Sequence, residues 1–174
     1  EAVLAQEQQI LDWAAEATAF DPQPSATVER GALDVIQHEA ASAVAGYDPL
    51  TLIVGPAGAG RTTMLRAAAS TLHSPPHRPV FGFAPTAKAA RVLEDETRMV
   101  SDTVAKLLHE WSRPDRPPGA WWQLGPHATV VVDEAGMLGT HDLHRLMQLA
   151  RQQTWRLVLV GDPHQLQAVG RGGM

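Results

Sequence analysis

Apolar residues in this chain follow two alternating patterns. Short runs of about five β-branched and aliphatic residues occupy 50–54, 80–84, 129–133 and 157–160. Runs of that length, apolar on both sides, predict strands of a parallel sheet covered on both faces. Between them the apolar positions recur at helical spacing, predicting helices over 62–73, 87–96, 103–111 and 140–151. Thr140 is placed to cap the last of these, with Asp142 favourably sited in its first turn. Two helices are predicted ahead of the first strand. One spans 2–19, with Val3, Leu4, Ile10, Leu11, Ala14 and Ala17 on one face, and ends at Pro22 and Pro24. The other spans 28–45, with Leu33, Ile36, Ala40 and Val44 as its buried stripe. Strands alternating with helices make this an α/β fold. The proline break divides an N-terminal helix and linker, residues 1–27, from an α/β unit over 28–174.

Composition narrows the chemistry. The 174 residues suit a single α/β domain, 44% hydrophobic and 19% charged. With no cysteine, disulfides, thiolate metal sites and cysteine nucleophiles are excluded. No apolar run approaches the roughly 18 residues of a membrane span, so a membrane partner is not expected. The opening segment is acidic and broken by glutamines, unlike a signal peptide, and a cytoplasmic location is the expectation. A chain that opens on Glu1 and stops at Gly172, Gly173 and Met174 reads as a piece of a longer protein. The net charge of -5 is unevenly spread. Residues 1–50 carry nine acids and one base, Arg30, a net -8; residues 51–174 carry ten acids and thirteen bases, a net +3. A mildly basic core behind acidic helices permits a local phosphate track.

The strongest chemical signal is GPAGAGRT, running Gly55, Pro56, Ala57, Gly58, Ala59, Gly60, Arg61 and Thr62, with Thr63 next. It follows a predicted strand and precedes a predicted helix, the setting of a phosphate-binding P-loop. Glycines let backbone N–H groups curl around phosphate, and the helix N-terminus adds the positive end of its dipole. Thr62 is placed to ligate Mg²⁺. The strand at 129–133 ends in Asp133 and Glu134. Such a pair sets one carboxylate toward Mg²⁺ and another beside the attacking water. Together the two halves specify a site for ATP and Mg²⁺.

The wording around these residues resembles superfamily 1 DNA helicases of the RecD-like branch. Asp133, Glu134, Ala135, Gly136 and Met137 look like helicase motif II. Gln37, in Leu33-x-x-x-Gln37-x-x-Ala40, resembles the Q motif that reads adenine. The run from Ala84 through Thr86 and Lys88 to Ala90 resembles motif Ia, and the run opening at Thr103 resembles a looser motif Ib. These carry the family's contacts to single-stranded DNA, here Thr86, Lys88 and Thr103. Gly161-Asp162-Pro163-His164-Gln165 and the following Val169-Gly170-Arg171-Gly172 resemble motif III, whose glutamine senses the γ-phosphate, a role the resemblance gives to Gln165. The phrasing is closest to the helicase region of conjugative relaxases of the TraI/TrwC type, from about residue 30 onward. The resemblance implies the first RecA-like motor domain of such a helicase. Its sheet order, in the four predicted strands, would be 2-3-4-1, and its partners single-stranded DNA and a second RecA-like domain. Catalytic roles would fall to Glu134, Arg61 and Gln165.

Two departures qualify that expectation. No second motor domain, with its arginine finger, follows motif III here. And Arg61 stands where the family has lysine, a longer planar cation in place of a compact one. Arg61 is expected to impair hydrolysis while permitting nucleotide binding. A rival reading is a degenerate helicase-like module that binds single-stranded DNA or a partner without turnover. His141 and His144 read as neighbours on a solvated helix face. Trp121 and Trp122, after the proline-rich loop 112–119, could belong to a hairpin that stacks on bases, although ordinary packing is the plainer reading. Trp13, Trp111 and Trp155 read as core or helix-interface residues.

Overall fold

Five strands line up in parallel in the order β1-β5-β4-β2-β3. The structure, a computed structural model, describes residues 1–18, 27–55 and 60–162. In chain order the elements are α1 (Ala2–Thr18), α2 (Val35–Val44), β1 (Leu50–Val54), α3 (Arg61–His73), β2 (Val80–Ala84), α4 (Ala87–Thr97), β3 (Val100–Thr103), α5 (Val104–Trp111), β4 (Thr129–Val132), α6 (Thr140–Gln153) and β5 (Arg156–Gly161). The four apolar runs take the order the family resemblance implies, with β5 between β1 and β4.

Alternation along the central strands divides the core. Val130, Val132, Leu157 and Leu159 pack with Phe83 against α1, α5 and α6. Val131, Val158 and Val160 pack against α2, α3 and α4 on the opposite face. Every residue of β4 and β5 is buried, which is why both read as unbroken apolar runs. Among the described residues β1 forms one edge of the sheet, and its Leu52 and Val54 are 53% and 55% exposed.

Several local expectations are corrected. β3, the polar run Val100-Ser101-Asp102-Thr103, is a fifth strand that apolar periodicity does not show. Thr103 consequently ends a strand instead of opening a helix, and its hydroxyl caps α5 by accepting from the Lys106 amide. α2 is shorter than 28–45: Ile36 is exposed, Ala40 half-buried, and Ala41, Val44 and Ala45 make the contact. On α1, Val3, Leu4 and Leu11 are exposed; the packed face is Ile10, Trp13, Ala14 and Ala17. Gly139, not Thr140, is the cap residue of α6.

α1 lies parallel to α6, with Gln6 beside His141, Gln9 beside His144 and Glu16 beside Arg151. The two histidines are thus engaged by the neighbouring helix and do not simply face solvent. Trp13 and Ala17 join the core under this pair. Trp111 and Trp155 meet edge to face at 5.6 Å, and Trp155 is buried. Residues 120–122 form a single 3-10 turn in place of a hairpin. Trp121 there, 38% exposed, stands edge-on to Phe81, Phe83 and Trp122.

At the amino ends of the strands, two arginines close the C-terminus of α2. Helix ends leave carbonyls without intrahelical partners. Arg156, 5% exposed, donates to the carbonyls of Ala43, Val44 and Asp48 and to the Thr129 hydroxyl. Arg78 donates to the carbonyls of Ala45 and Gly46 and lies 4.0 Å over the Tyr47 ring. Burial, then the neighbouring Arg78, pushes the Arg156 pKa down to about 10. It remains charged at neutral pH.

Candidate nucleotide site

Parallel sheets of this kind collect their polar chemistry at the carboxyl ends of the strands. β1 ends at Val54 and α3 begins at Arg61, with Gly55 and Gly60 described on either side of the segment 56–59. Pro56, Ala57, Gly58 and Ala59 lie outside the described residues, as does Gln165. Gly60 is left-handed, with φ 74°, a conformation that glycine adopts without strain. It also sits directly under Gln37: a Cβ added there would fall 2.1 Å from Gln37 Nε2. Gln37 is held in place by a reciprocal cap. Its amide N–H donates to Asp34 Oδ1 at 2.8 Å, and its Oε1 accepts from the Asp34 amide at 3.1 Å. The side-chain amide of Gln37 is therefore anchored against Gly60.

β4 delivers the carboxylates. The Asp133 amide extends the β4–β2 ladder by donating to the Phe83 carbonyl at 2.9 Å. Its Oδ1 accepts from the Glu134 amide at 2.9 Å. Glu134 is left-handed, with φ 53° and ψ 36°, costing about 1–2 kcal/mol for a non-glycine residue. That turn ends the strand at the pair. Backbone strain of this kind clusters where function holds it.

Thr62, Asp133 and Glu134 line one cleft of about 270 Å³ with Thr86, Lys88 and Glu96. A hydroxyl and two carboxylates are the hard oxygen donors that suit Mg²⁺. Arg61, in the first turn of α3, leans across the cleft, its Nη1 3.9 Å from Asp133 Oδ1, both side chains partly exposed. Thr63 follows on the same turn.

The residues predicted to meet DNA are split. Thr86 caps α4, accepting from the Ala89 amide at 3.2 Å, and with the exposed Lys88 it borders the cleft. Thr103 is buried and occupied by its capping bond, so its side chain is not presented outward. Glu96, which no motif singles out, is brought to Thr62 from the far end of α4. Among the described residues no helix is long and apolar enough to cross a membrane.

Residues 32–174 match the family described as AAA domain. The chain is 35% identical over 136 residues to the probable conjugal transfer protein TraA of Sinorhizobium fredii, covering 78% of this chain and 12% of that protein. It is 34% identical over 161 residues to the RecBCD enzyme subunit RecD of Mycolicibacterium smegmatis, covering 79% of this chain and 29% of that one. It is 32% identical over 128 residues to the multifunctional conjugation protein TraI of Escherichia coli, covering 72% of this chain and 7% of that protein. The chain thus spans less than a third of the length of these curated relatives.

Proposed function

We propose, from the premise that this chain belongs to the AAA domain family and to its RecD-like branch beside the conjugation proteins, that it is the ATP-binding motor domain of a DNA helicase. The observation that carries this reading is convergence. Thr62 from α3 and the pair Asp133 and Glu134 from the end of β4 meet in one cleft at the N-terminus of α3. Thr62 and Asp133 would hold Mg²⁺, which when bound supplies positive charge to the β- and γ-phosphate oxygens. Glu134 would orient and deprotonate the attacking water. Backbone amides from Gly55 to Thr62 would cradle the phosphates, with Gln37 over the adenine and Gln165 sensing the γ-phosphate. Translocation on single-stranded DNA would require the second RecA-like domain, since this chain supplies one wall of the ATP cleft. The cytoplasm suits this work.

ADP and a non-hydrolysable ATP analogue should bind this chain in the presence of Mg²⁺ despite Arg61, because backbone amides make most phosphate contacts. Calorimetry measures this directly. No heat up to millimolar nucleotide would favour the other reading, a degenerate helicase-like module that binds single-stranded DNA or a partner without ATP turnover, for which the Arg61–Asp133 contact is the supporting observation.

Single-stranded DNA should bind weakly, without sequence preference, and more weakly as salt rises. Lys88→Ala should reduce the affinity further, because Lys88 is exposed at the open N-terminus of α4. Anisotropy of a labelled oligonucleotide across a salt series tests both. Tight binding, or binding indifferent to salt, contradicts the expectation.

A further inference from the structure

Glu96 sits in the last turn of α4, and two contacts tie it to α3. Thr62 Oγ1 donates to Glu96 Oε2 at 3.0 Å, and Arg66 Nε donates to the Glu96 carbonyl at 2.5 Å. Thr62 and Arg66 are one helical turn apart, so one face of α3 grips both the side chain and the backbone of the same residue. Arg66 supplies a donor to a carbonyl at the helix end, where intrahelical donors run out. The Glu96 carboxylate is thereby fixed on the wall it shares with Thr62, Asp133 and Glu134.

A threonine hydroxyl has one proton and two lone pairs. With its proton committed to Glu96, the Thr62 oxygen is left with its lone pairs free for a cation. The carboxylate also makes that oxygen more electron-rich. We infer that Glu96 is a positioning residue for the divalent cation of the nucleotide: it orients the Thr62 hydroxyl as a ligand and adds negative charge behind it. The inference rests on the Mg-nucleotide reading given above. The same charge acts oppositely on the two halves of the ligand. It favours Mg²⁺ and opposes a polyphosphate arriving without metal. Partners that orient a metal ligand in this way are commonly worth about 10–100-fold in metal affinity.

The test compares ADP binding in excess Mg²⁺ and in EDTA, by calorimetry on the whole chain, for wild type, Glu96→Gln and Glu96→Ala. The quantity read is the ratio of the two Kd values. In Glu96→Ala the advantage conferred by Mg²⁺ should shrink about tenfold or more, while ADP affinity in EDTA holds or rises. Glu96→Gln keeps an acceptor for Thr62 and loses only the charge, so its ratio should fall less; it carries the comparison if the alanine variant fails to fold. Thr62→Val combined with Glu96→Ala should cost less than the sum of the two single changes, because the orienting part of the effect passes through one oxygen. A ratio unchanged by either Glu96 variant, or equal weakening in both buffers, overturns the inference and leaves Glu96 a helix-packing residue. Wild-type binding that ignores Mg²⁺ also overturns it. A wild-type chain that binds no ADP in either buffer instead overturns the nucleotide reading, and this inference goes with it.

Discussion

Arg61→Lys, placed in a protein that joins this chain to a second motor domain, should raise DNA-stimulated ATP hydrolysis by about 100-fold or more. Several other residues of the proposed site are gathered among the described residues. Thr62, Asp133 and Glu134 share the cleft, and Gln37 is anchored over Gly60. Arg61 reaches toward Asp133 Oδ1, the carboxylate expected to serve the metal. A planar guanidinium there competes for the oxygen and spreads its charge over a wide head, whereas a lysine ammonium concentrates it between two phosphates. Charge that is preorganised where negative charge develops is worth most to the transition state. The isolated chain should gain little from the same change, because the opposite wall of the ATP cleft is not part of it. Steady-state phosphate release with and without single-stranded DNA, from both proteins, makes the comparison. Equal rates for the arginine and lysine forms of the two-domain protein would show that Arg61 already does lysine's work.

Arg156→Ala should destabilise the fold by about 3–5 kcal/mol, from several buried acceptors losing their donor at about 1–3 kcal/mol each. The guanidinium serves the carbonyls of Ala43, Val44 and Asp48 and the Thr129 hydroxyl at once, and of these the Ala43 carbonyl also accepts from the Gly46 amide. At about 2–4 °C per kcal/mol for a domain of this size, the midpoint should drop by roughly 10 °C. Thr129→Val removes one of those bonds and should cost only about 1 kcal/mol. Denaturant titrations at neutral pH separate the two, provided the slope with denaturant is unchanged between variants. A loss for Arg156→Ala no larger than that for Thr129→Val would mean that water enters and replaces the guanidinium. Nucleotide affinity of the folded fraction should be unaffected, since the cluster lies at the opposite end of the strands from the P-loop.

What the sequence revealed, and what it concealed, follow from distance and size. β1, β2, β4 and β5 were legible because burial on both faces demands continuous apolar runs. β3 was not: a four-residue strand at the sheet edge can carry Ser101 and Asp102 without penalty. The faces of α1 and α2 misled because small residues do much of the packing. Ala17, Ala41 and Ala45 are buried while the larger Leu11 and Ile36 are exposed. The halves of the candidate site were legible because local spacing defines each, a loop between strand and helix and a carboxylate pair at a strand end. Glu96 was not, because its partner is 34 residues away and nothing near it in the chain signals a contact. The Arg156 cluster is hidden for the same reason, its carbonyl partners lying 108 to 113 residues distant.

The position of β1 has a consequence for handling the isolated domain. An edge strand offers a free row of backbone donors and acceptors, and natural edges are usually blunted by charge, proline or a covering element. Among the described residues β1 instead presents Leu52 and Val54, with no charged side chain between Leu50 and Gly55. Crowded solutions should therefore favour strand-to-strand association between molecules at this edge. Because β1 leads straight into Gly55, such association would place a second molecule beside the phosphate loop. Loss of colloidal stability and loss of nucleotide access would then arrive together, and preparations judged inactive could simply be too concentrated.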